Sequence, residues 1–162
     1  MKDSWYDTAQ ICLNGHVINE KSVELPERNK KFCDQCGAVS VTACQKCNAP
    51  IPGYYHEPDL IRPEATYVAP AFCHQCGVAY SWIESRLQAS REIARELEGL
   101  TDEEKETLIQ SLDDIVKDTP KTTIACLRLK KLFDKAGKGT DEMFREILRD
   151  FISTTARKLL WP

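Results

Sequence analysis

At 162 residues and 18.4 kDa, the chain has room for one ordinary domain or two small ones, not for a large multidomain enzyme. Apolar residues at 42 % and charged residues at 29 % describe a globular rather than a disordered chain. A formal net charge of −3 weighs against a protein that holds nucleic acid mainly by neutralising phosphates.

The opening segment, Met1-Lys2-Asp3-Ser4-Trp5-Tyr6-Asp7, carries acids and no apolar core, so it does not read as a signal peptide. The longest apolar runs, such as Val68 to Cys73, are too short to cross a membrane. The expectation is a cytoplasmic chain whose thiols stay reduced. Residues 1–80 hold seven of the eight cysteines and all three histidines. In a reduced compartment this concentration points to metal, not to disulfides.

Three CxxC pairs occur in that half: Cys33/Cys36, Cys44/Cys47 and Cys73/Cys76. Cys12 and His16, separated by three residues, form a fourth half-site. Together they supply eight ligands, enough for two tetrahedral zinc ions with closed coordination. A CxxC pair works because a tight turn aims both sulfurs at one ion. The residue after the second cysteine often needs a left-handed backbone, which glycine or asparagine tolerates. Gly37, Asn48 and Gly77 stand at that position, and Gly15 lies inside the first turn.

Two pairings are open. Sequential pairing makes one site from Cys12, His16, Cys33 and Cys36, and a second from Cys44, Cys47, Cys73 and Cys76. Each would be a zinc ribbon. Interleaved pairing would give a cross-braced fold. The seven residues between Cys36 and Cys44 suffice for a strand leading from one ribbon to the next, which favours the sequential arrangement. Short β-prone stretches, Ala38–Thr42 and Ala65–Val68, sit beside the cysteine pairs, and no run in this half suggests a helix.

His74 lies between two ligands of one knuckle, where side chains point outward. His56 falls in the long loop between the two knuckles of the second ribbon. Neither has a Ser, Asp or Glu pattern nearby that forms a triad or an acid–base pair, so both read as surface or loop-packing residues. Tyr54, Tyr55, Tyr67 and Phe72 cluster around the second ribbon, where they fill a thin core or stack on a partner.

Residues 81–162 read as a bundle of about four helices. The first runs from Ser81 to about Glu98, with Gly99 as its stop. Thr101-Asp102-Glu103-Glu104 is a capping box that opens the second, with Leu108, Ile109, Leu112, Ile115 and Val116 on one face. Thr119-Pro120 starts the third, which carries Ala125, Leu129, Leu132, Phe133 and Ala136 inward and stops at Gly137. Cys126 on this helix reads as a small buried apolar residue. The fourth starts at Thr140 and continues through Met143, Phe144, Ile147, Leu148, Phe151 and Ile152 towards Leu159, Leu160 and Trp161. That stripe is wide enough to serve both the bundle and a neighbouring molecule, so self-association or a protein partner is expected through this half.

Charge divides the helices. Residues 81–118 hold five Lys/Arg against eleven Asp/Glu, and residues 119–162 hold ten against five. The simpler reading has acidic helices lying beside basic ones. The alternative is an anionic partner such as nucleic acid on Lys121, Arg128, Lys130, Lys131, Lys135 and Lys138.

The segments Lys31–Gly37 and Ala43–Pro50 resemble those of bacterial double zinc ribbons. Ala9–Asn19, Gly53–His56 and Ala71–Gly77 are similar to the matching stretches of a bacterial domain-of-unknown-function family, and the resemblance covers the whole chain. It implies a double zinc ribbon followed by a helical tail in a bacterial cytoplasmic protein, and it implies no activity. The expected fold is thus a small, metal-dominated α+β protein, with a double zinc ribbon over 1–80 and a helical bundle over 81–162. The eight ligands are all protein-derived, so neither ion keeps a position open for a reacting water. The expected role is that of a non-enzymatic adaptor.

Overall fold

A computed structural model of the protein describes residues 4–57 and 66–162, and the chain divides into two compact units, Met1–Ile83 and Glu84–Pro162. The first unit is built from five short strands: β1 (Trp5–Thr8), β2 (Gln10–Cys12), β3 (Val17–Asn19), β4 (Ser40–Val41) and β5 (Pro52–His56). They form two small antiparallel sheets. In one, β1 pairs with β5; in the other, β2 lies between β3 and β4. Strand β4 is the link between the second and third knuckles, inside the β-prone Ala38–Thr42 stretch. The other such stretch forms no strand over 66–68, and Ala65 lies outside the described residues.

The apolar core here is thin. Ala9, Ile11 and Ile51 are fully buried and Trp82 nearly so, joined by the buried sulfurs of Cys12, Cys33, Cys44 and Cys73. The irregular stretch after β3 is held by side-chain amides. Asn19 Nδ2 donates to the Leu25 carbonyl and to Asn29 Oδ1, both at 2.8 Å, and Asn29 Nδ2 donates to the Ser22 carbonyl at 2.9 Å.

Gly53 marks where three backbones converge. A Cβ there would lie 2.2 Å from the Glu20 carbonyl oxygen and 2.8 Å from the Ala9 nitrogen. The Tyr54 N–H also donates to that Glu20 carbonyl, at 2.8 Å, so β5 and the turn after β3 cannot separate without losing the bond. Gly53→Ala should therefore destabilise the first unit by about 1–3 kcal/mol or more, the range for overpacking against atoms that cannot relax. Urea denaturation followed by tryptophan fluorescence reads this directly, and an unchanged midpoint would show that the convergence is looser than described.

The second unit is helical. Helix α1 (Ser81–Glu96) leads into it and is followed by α2 (Asp102–Val116), α3 (Pro120–Ala136), α4 (Thr140–Leu148) and α5 (Thr154–Leu160). The capping box forms as expected: Thr101 Oγ1 accepts from the Glu104 N–H at 3.3 Å, and Glu104 Oε2 accepts from the Thr101 N–H at 2.9 Å. A second reciprocal cap joins Thr119 to Thr122. Thr122 is fully buried; its Oγ1 accepts from the Thr119 N–H at 2.9 Å and donates to the Lys117 carbonyl at 2.7 Å. Thr122→Val preserves the shape but orphans both backbone groups, so a loss of about 1–3 kcal/mol is expected in the thermal or urea unfolding of this unit.

The single long fourth helix is corrected to two. The Ser153 N–H leaves the helical pattern to donate to the Ile115 carbonyl at 2.9 Å, and Ser153 Oγ accepts from the Ala156 N–H at 3.1 Å as the cap of α5. No glycine or proline announces that break. The stripe is covered in part within the chain: Phe144, Leu148, Phe151, Ile152 and Leu160 are buried, whereas Met143 and Leu159 stay exposed. Helix α3 packs against α2, α4 and α5, and Phe133 stacks on Phe144 at 4.9 Å between centroids. Trp161 Nε1 donates to Asp141 Oδ1 at 3.0 Å, tying the end of α5 to the start of α4.

Candidate metal centres

The three CxxC knuckles repeat one backbone design. The N–H of the first cysteine donates to the carbonyl five residues on: Cys33 to Ala38, Cys44 to Ala49, and Cys73 to Val78, at 2.8, 2.8 and 2.9 Å. The carbonyl of that same cysteine accepts from the residue after the second one: Gly37, Asn48 and Gly77, again at 2.8, 2.8 and 2.9 Å. Closing the turn this tightly drives that residue into the left-handed region, with φ of 72°, 61° and 70°. Asn48 is the one non-glycine residue with positive φ among the described residues, as expected from the tolerance of asparagine for this region. The Cys12/His16 turn has its own closure: the Cys12 N–H donates to the His16 carbonyl at 3.0 Å, and the His16 N–H points at Cys12 Sγ, 3.3 Å away.

These turns gather the eight side chains into two groups, Cys12/His16/Cys33/Cys36 and Cys44/Cys47/Cys73/Cys76, with the ligand atoms of each within 4.8 Å of one another. The first knuckle joins the second and the third joins the fourth, so the arrangement is sequential rather than cross-braced. The spacing within each group is informative. Thiol sulfurs in van der Waals contact have no reason to surround a common point. A tetrahedral ion with bonds of about 2.3 Å to sulfur and about 2.0–2.1 Å to nitrogen sets S–S edges of about 3.8 Å and S–N edges of about 3.5 Å. The observed S–S separations are 3.8 Å for Cys12–Cys36, 3.8 Å for Cys44–Cys76 and 3.6 Å for Cys47–Cys73. His16 Nδ1 lies 3.5 Å from both Cys12 Sγ and Cys33 Sγ. The donor set therefore fits one tetrahedral ion per group.

The surroundings pull the thiols in opposite directions. Hydrogen bonds from the Ala38 N–H and the Asn14 side-chain amide, the latter at 3.3 Å, bring the Cys36 thiol down to about 6. The Cys76 and Gln75 N–H groups do the same for Cys73, also to about 6. Burial acts in the opposite direction on Cys12 and raises it, and on Cys47 the hydrogen bond from the Ala49 N–H is outweighed by burial and the three neighbouring thiols, which push it up to about 12. Metal is the natural partner for this mixture, since a cation converts a buried thiol to a thiolate without leaving an uncompensated charge.

The remaining candidates separate clearly. His74 is exposed, pointing away from its knuckle, and Cys126 is buried in α3. Tyr54, Tyr55, Tyr67 and Phe72 are half-buried, and the Tyr67 hydroxyl donates to the Pro52 carbonyl. His56 is not in a loop. It lies on β5, opposite Trp5 of β1, with its ring stacked on the Trp5 indole at 4.1 Å. Sequence reasoning missed this strand pair because β1 and β5 stand more than forty residues apart. The adjacent aromatic pairs Trp5-Tyr6 and Tyr54-Tyr55 were the available signal.

Residues 5–160 match the family described as an uncharacterized protein conserved in bacteria (DUF2321), and the chain belongs to that family. No curated protein and no solved structure matches the chain. No helix among the described residues is long and apolar enough to cross a membrane.

Proposed function

We propose that the protein is a non-enzymatic adaptor of the cytoplasm, in which two zinc ribbons present a recognition surface and the helical unit carries protein–protein assembly. The observation that carries this reading is the closure of both metal groups. Each offers four protein donors in tetrahedral spacing, three sulfurs and a nitrogen in one and four sulfurs in the other. Zinc suits such donors, and four protein ligands leave no position for a substrate or a reacting water. A site of this kind holds a fold together. The thin core of the first unit needs such a staple.

Assembly is the second half of the reading. Most of the α4–α5 stripe is buried inside the unit, which leaves Met143 and Leu159 exposed on it. Ile124 and Leu127 lie one turn apart on α3 and remain 52 % and 57 % exposed. A nucleic-acid-binding role for the basic third helix has less support. Lys135 is already paired with Glu104 of α2 at 2.6 Å, in line with acidic and basic helices neutralising one another.

Light scattering on the intact chain at tens of micromolar tests the assembly reading. Self-association that disappears in an Ile124→Ser/Leu127→Ser double variant of unchanged helicity is the expected result. A monomer at every concentration, together with a gel shift of DNA or RNA that fades steeply with salt, would replace the adaptor reading with the nucleic-acid one.

A further inference from the structure

A third group of ligand-type side chains lies in the first unit, apart from the two thiol sites. Asp7 of β1, Glu24 of the following irregular segment and His56 of β5 bring one carboxylate oxygen, one carboxylate oxygen and one ring nitrogen within 4.8 Å of one another. The parts are fixed to different degrees. The Asp7 side chain is fully buried, and its two oxygens accept from the Val23 N–H at 3.0 Å and the Glu24 N–H at 3.1 Å. It is turned inward where the β1–β5 register shifts between Tyr6 and Thr8, a local irregularity that re-aims a side chain. The His56 ring is clamped by Trp5 stacked at 4.1 Å and by the edge of Tyr54 at 4.9 Å. Its Nε2 is buried and has no hydrogen-bond partner among the described residues. Glu24, about half exposed, closes the group from the solvent side.

The distances say what belongs between these atoms. His56 Nε2 is 3.8 Å from Asp7 Oδ2 and 3.6 Å from Glu24 Oε2. Both gaps exceed a hydrogen bond, which a protonated imidazole facing two carboxylates would draw in to about 2.7–2.9 Å. Both are short of the roughly 4.5 Å that a bridging water spans, its two hydrogen bonds of about 2.8 Å meeting near the tetrahedral angle. They lie a few tenths of an ångström outside the edge of a tetrahedral polyhedron, about 3.4 Å for bonds of about 2.1 Å, a gap that, at Glu24, a small inward movement of its half-exposed side chain would close. Two carboxylates and a neutral imidazole also match the charge of a dication. Lys21 Nζ approaches the same Glu24 oxygen, at 3.4 Å, and leans on the Tyr54 ring, so it tempers the negative charge without entering the group.

We propose that Asp7, Glu24 and His56 form a third metal site, which takes a divalent first-row cation, Zn²⁺ by its mixed nitrogen and oxygen donors. With three protein donors instead of four, it is weaker than the thiol sites and exchangeable, and it leaves coordination open on the side of Glu24. The inference stands on different residues from the two ribbons and does not depend on their metal.

Equilibrium dialysis tests it. Protein carrying only its tightly held zinc is dialysed against buffered micromolar Zn²⁺, and bound zinc is counted by elemental analysis. The intact chain should take up one further ion per molecule. His56→Phe, which keeps the ring stack on Trp5, should lose that ion and keep the others. Glu24→Gln should bind it roughly tenfold more weakly or worse, and because Glu24 is half-exposed this variant carries the test should His56→Phe fail to fold. His74→Ala, altered at an exposed knuckle histidine, should still take up the ion. No uptake by the intact chain would show an ion pair only and overturn the proposal. So would uptake that survives in His56→Phe or is undiminished in Glu24→Gln.

Discussion

Stripping the metal from the protein with a strong chelator under reducing conditions should unfold the first unit and leave the second helical. The first unit buries few large apolar side chains, among them Ile11, Ile51 and Trp82, and its strands are two to five residues long. Such a unit cannot offset the conformational entropy of folding by burial alone. Binding of a structural zinc ion is worth about 10–16 kcal/mol in zinc-finger peptides at neutral pH, and in a chain of this kind that energy is folding energy. Loss of tryptophan near-UV dichroism with retained far-UV helicity is the expected signature. Cys44→Ser or Cys33→Ser should reproduce it site by site, and Cys12→Ser or His16→Ala should loosen the first site alone. Acid should act in the same direction. Protons compete with the ion for the thiolates and for the His16 imidazole, so metal content and near-UV dichroism should fall together as the pH is lowered. Retained near-UV structure in metal-free protein would mean that the thin core suffices.

The second large effect belongs to the helices and should leave the metal untouched. Phe144 is fully buried and stacked on Phe133, where α4 meets α3. Phe144→Ala removes a ring from a packed site whose neighbour Phe133 sits on a helix held by α2 and α5, and the expected loss is about 3–5 kcal/mol. Urea denaturation monitored by the far-UV dichroism of the helices would read it. Metal content measured on the same variant should be unchanged. A loss below about 1 kcal/mol would show that the site collapses around the cavity.

Some features of this molecule are legible in its sequence and others are not, and the difference is one of range along the chain. Knuckles are local: Cys33, Cys36 and Gly37 fix one another through two backbone bonds within six residues, so spacing alone reveals them. Caps are local in the same sense, and Thr101/Glu104 could be read from four letters. The break at Ser153 could not, because its cause is the Ile115 carbonyl, far away in the sequence. The β1–β5 pairing failed for the same reason, and with it the setting of His56. Its partners Asp7 and Glu24 carry no motif spacing. The stretch from Asn19 to Asn29 that contains Glu24 is held by the side-chain amides of those two asparagines rather than by any periodic pattern. The breadth of the α4–α5 stripe was visible, but not how much of it packs on α3.

Elemental analysis of protein purified reduced and without chelators, after desalting to remove exchangeable ions, counts the ions held by the two four-donor groups. Two zinc ions per chain, one for each group, are expected. One ion, none, or a different metal in either group would contradict that expectation.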